Sequence, residues 1–239
     1  MHLIPLKTAR LCAHQNLFDV FDYALEVAEE TLQEKDILII ASKIVAYNQK
    51  RLVNIKNKDE FRHLVKKEAD QILDDGDIIL TLKDKMLIPN AGIDNSNVPE
   101  GQVVLWPKDS FAFAQQFRQQ LMEKYNLSEL GVLISDSHCQ PLRQGTSGLA
   151  MGWAGFEGVQ DERGAKDLFG REMKYTKIAV ADNLASAALL EMGETDASIP
   201  FVVARGTPAQ FMGETFSADD YFMNPKECLY APLYGERLK

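Results

Sequence analysis

The sequence predicts an α+β protein, mixed sheets with flanking helices, and three observations lead to that class. Amphipathic helical stretches lie beside short, continuous apolar runs of the kind that form strands buried on both faces. The two kinds of element do not alternate in strict strand–helix–strand order, which argues against a doubly wound parallel sheet. The 239 residues are 46% hydrophobic and 26% charged, within the ordinary globular range. A chain of this size buries roughly 70% of its extended surface without metal or disulfide staples. One large domain over residues 1–239, or two intimate subdomains within it, is therefore expected.

Each element has its own signal. Residues 17–33 place Leu17, Phe18, Phe21, Leu25, Ala28 and Leu32 at helical spacing with acids on the other face, predicting a helix. Ile37–Ile40 form an apolar run that reads as a strand buried on both faces. A charge-rich helix is expected over 58–74. The stretch DIILTLKDKMLIPNAG, 77–92, reads as two strands joined by a Lys-Asp turn, and VVLWP, 103–107, as a strand closed by proline. Residues 110–127 predict a helix capped at Asp109-Ser110 and running into a buried strand, LGVLISD, at 130–136. The glycine-rich run RQGTSGLAMGWAGFEG, 143–158, reads as a separator. Residues 179–193 predict a helix ending at Gly193, and PFVVARG, 200–206, a last strand before an irregular tail. The two helix-then-strand units have the look of a diverged duplication.

Composition and missing motifs exclude several functions. The net charge is −9 and the lysines and arginines are dispersed, which speaks against nucleic acid as the main partner. Three scattered cysteines, Cys12, Cys139 and Cys228, make neither a disulfide framework nor a metal knuckle, so a reducing, cytoplasmic home is expected. The N-terminal stretch shows no apolar h-region followed by a small-residue cleavage site and no apolar run reaches membrane-spanning length, so neither export nor insertion is expected. No GxxxxGK[ST] loop, dinucleotide fingerprint or GxSxG elbow occurs. The four histidines, His2, His14, His63 and His138, show no HExxH or other paired spacing.

Acids and hydroxyls at strand exits remain. NAGIDNSNV, 90–98, gathers Asn90, Asp94, Asn95, Ser96 and Asn97 around Gly92, and its local chemistry alone reads as an Asx-stabilised turn. Asp136 and Ser137 end an apolar strand, where open sheets often place ligands but where caps are also common. Glu194 follows the glycine that ends a helix, a setting typical of a solvated acid. Together, Asp94, Asp136, Ser137 and Glu194 would make the all-oxygen set that suits magnesium or manganese. Spacing does not show that they converge. Arg143, Arg163 and Arg171 are candidates to clamp phosphate or carboxylate, or else members of ordinary ion pairs.

The strings ASKIV, NAGIDNSNV, GVLISDS, RGAKDLFGREM, AVADNLASAALLEMGE and IPFVVARG occur in this order across residues 36–206, and with them the chain resembles the coenzyme F420:L-glutamate ligase family. The resemblance implies an intertwined α+β homodimer that uses GTP, Mg2+ or Mn2+ and a monovalent cation such as K+ to join L-glutamate to a small carboxylate acceptor. It implies that Asp94, Asp136, Ser137 and Glu194 hold metal, with Ser137 standing where the family has threonine. It also implies that Ser42, Lys43, Asn97 and the segment Met192, Gly193, Glu194, Thr195, Asp196, Ala197, Ser198 and Ile199 contact the nucleotide. The chain departs from the family pattern in three places. Ala46-Tyr47 stands for a Ser-Lys pair, Cys139-Gln140 for a glycine and an arginine, and ARLCA around Arg10 for a Leu-Pro element. These departures leave open a folate-like acceptor, ATP in place of GTP, or a homologue that binds nucleotide or metal without catalysis.

Overall fold

The computed structural model describes residues 1–11, 15–213 and 221–234; Cys12 and His14 lie outside these. In chain order its elements are β1 (His2–Leu6), α1 (Leu17–Val27), β2 (Asp36–Ala41), α2 (Ser42–Asn48), β3 (Leu52–Asn54), α3 (Lys58–Glu68), β4 (Gln71–Asp75), β5 (Ile79–Lys83), β6 (Met86–Pro89), β7 (Gln102–Val104), α4 (Ser110–Tyr125), β8 (Leu130–Cys139), β9 (Thr146–Ala154), β10 (Gln160–Asp161), β11 (Lys177–Ile178), α5 (Val180–Met192) and β12 (Phe201–Arg205). This is the expected α+β arrangement. No helix among the described residues is long and apolar enough to cross a membrane.

The central sheet runs β1–β12–β2–β8–β9, antiparallel except for the parallel pair β2 and β8. Side chains along a strand alternate between faces, so an uninterrupted apolar run implies a sheet covered on both sides. Leu38 and Ile40 pack with Phe21, Leu25, Phe117 and Leu121 of α1 and α4. Ile37 and Ile39 face the other way, onto Ala181, Leu184, Ala185 and Ala188 of α5. A meander of β4–β5–β6 and the β3–β7 pair form smaller sheets beside α3, with Val65, Ile79, Val103 and Leu105 as their core.

At Arg205 the end of β12 is pinned to the start of β2. Its guanidinium donates to both oxygens of the fully buried Asp36 carboxylate, at 3.0 and 2.9 Å, and to Thr31 O. A buried carboxylate without such a partner would be strongly unfavourable.

Asp109 caps α4 as expected, its carboxylate accepting from the Ala112 N–H at 3.0 Å. Asp109→Ala is expected to cost about 1 kcal/mol, the usual worth of such a cap. Thermal unfolding of the pair of proteins would show it as a shift of about 2–4 °C.

Several boundaries and elements differ from the sequence reading, α2, β3, β10 and β11 among them, which the sequence did not announce. The first helix stops at Val27, not residue 33, because Glu29 turns left-handed (φ 53°) and the Glu30 N–H returns to Leu25 O. Leu32 is still buried, but from the connecting loop, so the apolar spacing outlasts the helix. The charged helix ends at Glu68, and Gln71–Asp75 form β4 against β5. Only Val65 of α3 is buried, so no apolar stripe marked where that helix stopped. The N-terminal residues form β1, whose pairing with β12 is a contact nearly the length of the chain.

The glycine-rich run is the largest correction, because residues 146–154 are β9. A Cβ on Gly148 would lie 2.2 Å from the backbone of Ala185 in α5, and one on Gly152 2.5 Å from the backbone of Ser110 in α4. The β8–β9 register shifts between Ile134 and Ser135, which turns the two glycines to opposite faces. Their absent side chains let both helices lie close on the sheet.

Candidate active site

Parallel pairing of β2 with β8 sets Ala41 beside Ser135, so Ser42-Lys43 and Asp136-Ser137 emerge side by side at one edge of the sheet. That edge is where open sheets take ligands. It opens into a cavity of about 1210 Å³. The wall also includes Thr8–Leu11 after β1, Asp94 and Ser96–Pro99 after β6, and Met192–Asp196 and Ser198–Pro200 after α5. Such a volume exceeds the roughly 300–1,000 Å³ of an ordinary small-molecule pocket and leaves room for more than one ligand.

Asp136 is held on two sides. Trp106 Nε1 donates to one carboxylate oxygen at 2.7 Å and the Ser137 N–H donates to the other at 2.8 Å, with Ser42 lining the same wall. Burial pushes its carboxyl above the usual range despite these donors and nearby Lys43. The indole reaches Asp136 across Gly92, where a Cβ would meet the ring at 2.2 Å. This is what the glycine of NAGIDNSNV is for.

Asp94 binds its own turn and a cation together. It accepts from the Ser96 N–H and hydroxyl, each at 2.7 Å, and from Lys43 Nζ at 2.7 Å. Burial works to raise its carboxyl, but Lys43 and Ser96 outweigh that and hold it below the usual range. Glu194 accepts from the Thr146 hydroxyl at 2.9 Å. Tyr47 donates to Asn97 O at 2.9 Å, and the Asn97 amide donates to Thr195 O at 2.7 Å, tying α2 to two loops.

The structure thus brings Ser42, Lys43, Asp94, Asn97, Asp136, Ser137, Met192, Gly193, Glu194, Thr195, Asp196, Ser198 and Ile199 to one cavity. Ala197, alone in its segment, is not part of the wall. Arg143 stands in the exposed turn after β8, and Arg163 is bound by Asp161 in the β10–β11 hairpin. Arg171 pairs with Asp167. Of these candidates for a phosphate or carboxylate clamp, two are paired locally and none lines the cavity wall. Trp106, Thr146 and Thr8 escaped the sequence reading. Of these, only Trp106 carried a local signal, a large aromatic closing a strand near the NAG turn.

The residue set suits a divalent cation in an open site. Among the described residues no three acidic, histidine or cysteine side chains close on one point as a cage. Magnesium-type ions, however, commonly take one or two carboxylates and complete their shell with substrate phosphates and water. The half-buried Asp136 with Ser137 beside it, and Asp94 and Glu194 across separate loops of the same wall, match that hard-ligand chemistry.

Comparison with known families agrees with this arrangement. The family model described as F420-0:Gamma-glutamyl ligase matches residues 5–206. The chain belongs to the F420-0:gamma-glutamyl ligase family. Among its relatives is the coenzyme F420:L-glutamate ligase of Methanopyrus kandleri, 35% identical in an alignment of length 206 that covers 79% of this chain and 81% of that protein. The proteins of the same name from Methanocaldococcus jannaschii and Methanococcus maripaludis strain C6 are 35% and 34% identical in alignments of length 203 that cover in each case 77% of this chain and 81% of the relative. The family match spans β1 to β12 and so takes in every segment of the cavity wall.

Proposed function

We propose that this chain is a GTP-dependent γ-glutamyl ligase that forms an amide between the carboxylate of F420-0 and the amine of L-glutamate. The observation that carries the reading is the gathering of Lys43, Asp94, Asp136, Ser137 and Glu194, from four separate stretches of sequence, around one cavity in a chain of this family. A carboxylate is a poor electrophile. Transfer of the γ-phosphoryl group to a carboxylate oxygen makes an acyl phosphate and releases GDP; the glutamate amine then attacks the carbonyl carbon, expels phosphate and loses a proton.

In this reading Ser42, Asn97 and the Met192–Ile199 segment hold the nucleotide. Lys43, steered by Asp94 and Ser96, presents its ammonium to phosphate oxygens. Asp94, Asp136, Ser137 and Glu194 would hold Mg2+ or Mn2+, with K+ as an accessory ion. The bound cations supply neutralisation of charge on the phosphate oxygens. Trp106 fixes the orientation of Asp136 and keeps water from its inner side. A homodimer belongs to the same proposal, and the exposed Leu168, Phe169 and Tyr175 beyond β10 support it as surface for a second copy.

Incubation with GTP, isotopically labelled glutamate and either F420-0 or a folate acceptor, followed by mass spectrometry, tests the reading. A labelled amide with F420-0 is expected. A folate product would move the acceptor class. Nucleotide binding without any product would make the chain a non-catalytic homologue.

Tyr47→Phe should leave kcat within about twofold and raise the KM for GTP several-fold, since one neutral hydrogen bond is worth about 0.5–1.5 kcal/mol. Steady-state kinetics with GTP varied would show it. An unchanged KM would remove the Tyr47–Asn97–Thr195 tie from nucleotide binding.

A further inference from the structure

One stretch of the cavity wall carries positive charge that nothing in the described chain neutralises. Arg10 and Lys50 both line the cavity, and among the described residues neither has an acidic partner. Several other cations are paired. Lys43 is fixed by Asp94, Arg51 by Glu68, Arg62 and Lys66 by Asp75, and Arg205 by Asp36 and Glu30.

Arg10 and Lys50 reach the wall of one cavity through long-range structure. Antiparallel pairing of β1 with β12 carries the chain past Leu6, and the Thr8 N–H then donates to Ser198 O at 2.9 Å, which brings Thr8–Leu11 onto the cavity. Lys50 closes the end of α2 with a left-handed φ of 58°, its N–H returning to Tyr47 O. Tyr47 lines the same cavity within reach of Arg10's charge, its hydroxyl already committed to Asn97 O. In the same wall the Thr8 hydroxyl oxygen is buried and has no hydrogen-bond partner in the described chain. Buried hydroxyls are rarely left so.

Two cations that line a cavity without an acidic partner among the described residues, with an unpartnered hydroxyl buried in the same wall, are complementary to an oxyanion. We propose that Arg10 and Lys50, with the Thr8 hydroxyl, form an oxyanion subsite that is separate from Lys43 and holds a substrate carboxylate or phosphate away from the reacting bond. The inference rests on the ligase reading and deepens it. Glutamate reacts through its amine, so its carboxylates need counter-charges; the acceptor and the nucleotide are the other sources of an oxyanion. Lys50 also answers a departure noted in the sequence, for it brings an ammonium to the cavity three residues beyond Tyr47, where the family resemblance places a lysine.

The test uses the full chain with Arg10→Gln, Lys50→Gln and, as a control of equal net charge, Lys7→Gln, whose exposed side chain does not line the cavity. Binding of GTP, L-glutamate and F420-0 is measured separately by isothermal titration calorimetry, and KM and kcat by product formation. The expected result is that Arg10→Gln and Lys50→Gln each weaken the same one of the three ligands by about tenfold or more, as loss of a charge-assisted hydrogen bond does. kcat should change less than that KM, and Lys7→Gln should change nothing. The ligand that weakens names the oxyanion. Affinities within twofold of wild type for all three ligands would overturn the subsite while the wild-type product still stands for the ligase. A wild type that binds none of the three would overturn both.

Discussion

Asp136→Asn is expected to lower the rate of ligation by about a hundredfold or more, because the substitution removes charge from the proposed cation site while keeping its shape. The carboxylate oxygens accept from Trp106 Nε1 and from the Ser137 N–H. Asparagine offers one acceptor in place of two, so one of those donors faces an amide NH2, at a cost of about 1–3 kcal/mol. Against that, burial already disfavours the charged carboxylate, and a neutral side chain relieves the penalty. The two effects oppose each other, so the variant should fold and melt within several degrees of wild type. Activity should not survive so well. Product formation at rising Mn2+ concentration, alongside thermal melts, separates the outcomes. A variant that ligates within threefold of wild type at every Mn2+ concentration would take Asp136 out of the proposed metal site.

The difference between what the sequence showed and what it hid follows from contact range. Ile37–Ile40 could be read as a strand covered on both faces because period-2 burial on two sides leaves a continuous apolar run. The Lys-Asp turn between β5 and β6 was equally local, with Asp84 and Lys85 both at positive φ. The site was not local. Asp94, Asp136 and Glu194 each had an ordinary explanation in its own loop, as Asx turn, strand-end cap or solvated acid, and only the parallel register of β2 with β8 and the placing of α5 against β9 bring those loops to one wall. Family resemblance supplied the grouping that spacing lacked. Arg163 shows the converse. Its partner Asp161 lies two residues away, so its local satisfaction was open to a reading that weighed near neighbours before distant roles. Arg10 and Thr8 were hidden because their placement depends on β1 meeting β12 across the whole chain.

Gly148→Ala is expected to destabilise the protein by about 3 kcal/mol or more and to lower ligation in whatever folded fraction remains. The added Cβ would lie 2.2 Å from Ala185 C and 2.3 Å from Ser186 N. Those are backbone atoms in the middle of α5, so no side-chain rotation can relieve the overlap. The helix must move away from β9 or the strand must bend. Either motion opens the core that Leu184, Ala185 and Ala188 share with Leu133, Ala150 and Trp153. For a chain of this length the loss corresponds to roughly 6–12 °C in Tm. The same displacement reaches the site, because α5 leads directly into Gly193 and Glu194, and Glu194 is held by Thr146 at the start of β9. Gly145→Ala is the matched comparison, since a Cβ there would meet nothing within 4 Å even though its φ of 90° carries some strain. If Gly148→Ala melts no lower than Gly145→Ala, close contact between α5 and β9 is not what glycine at 148 serves.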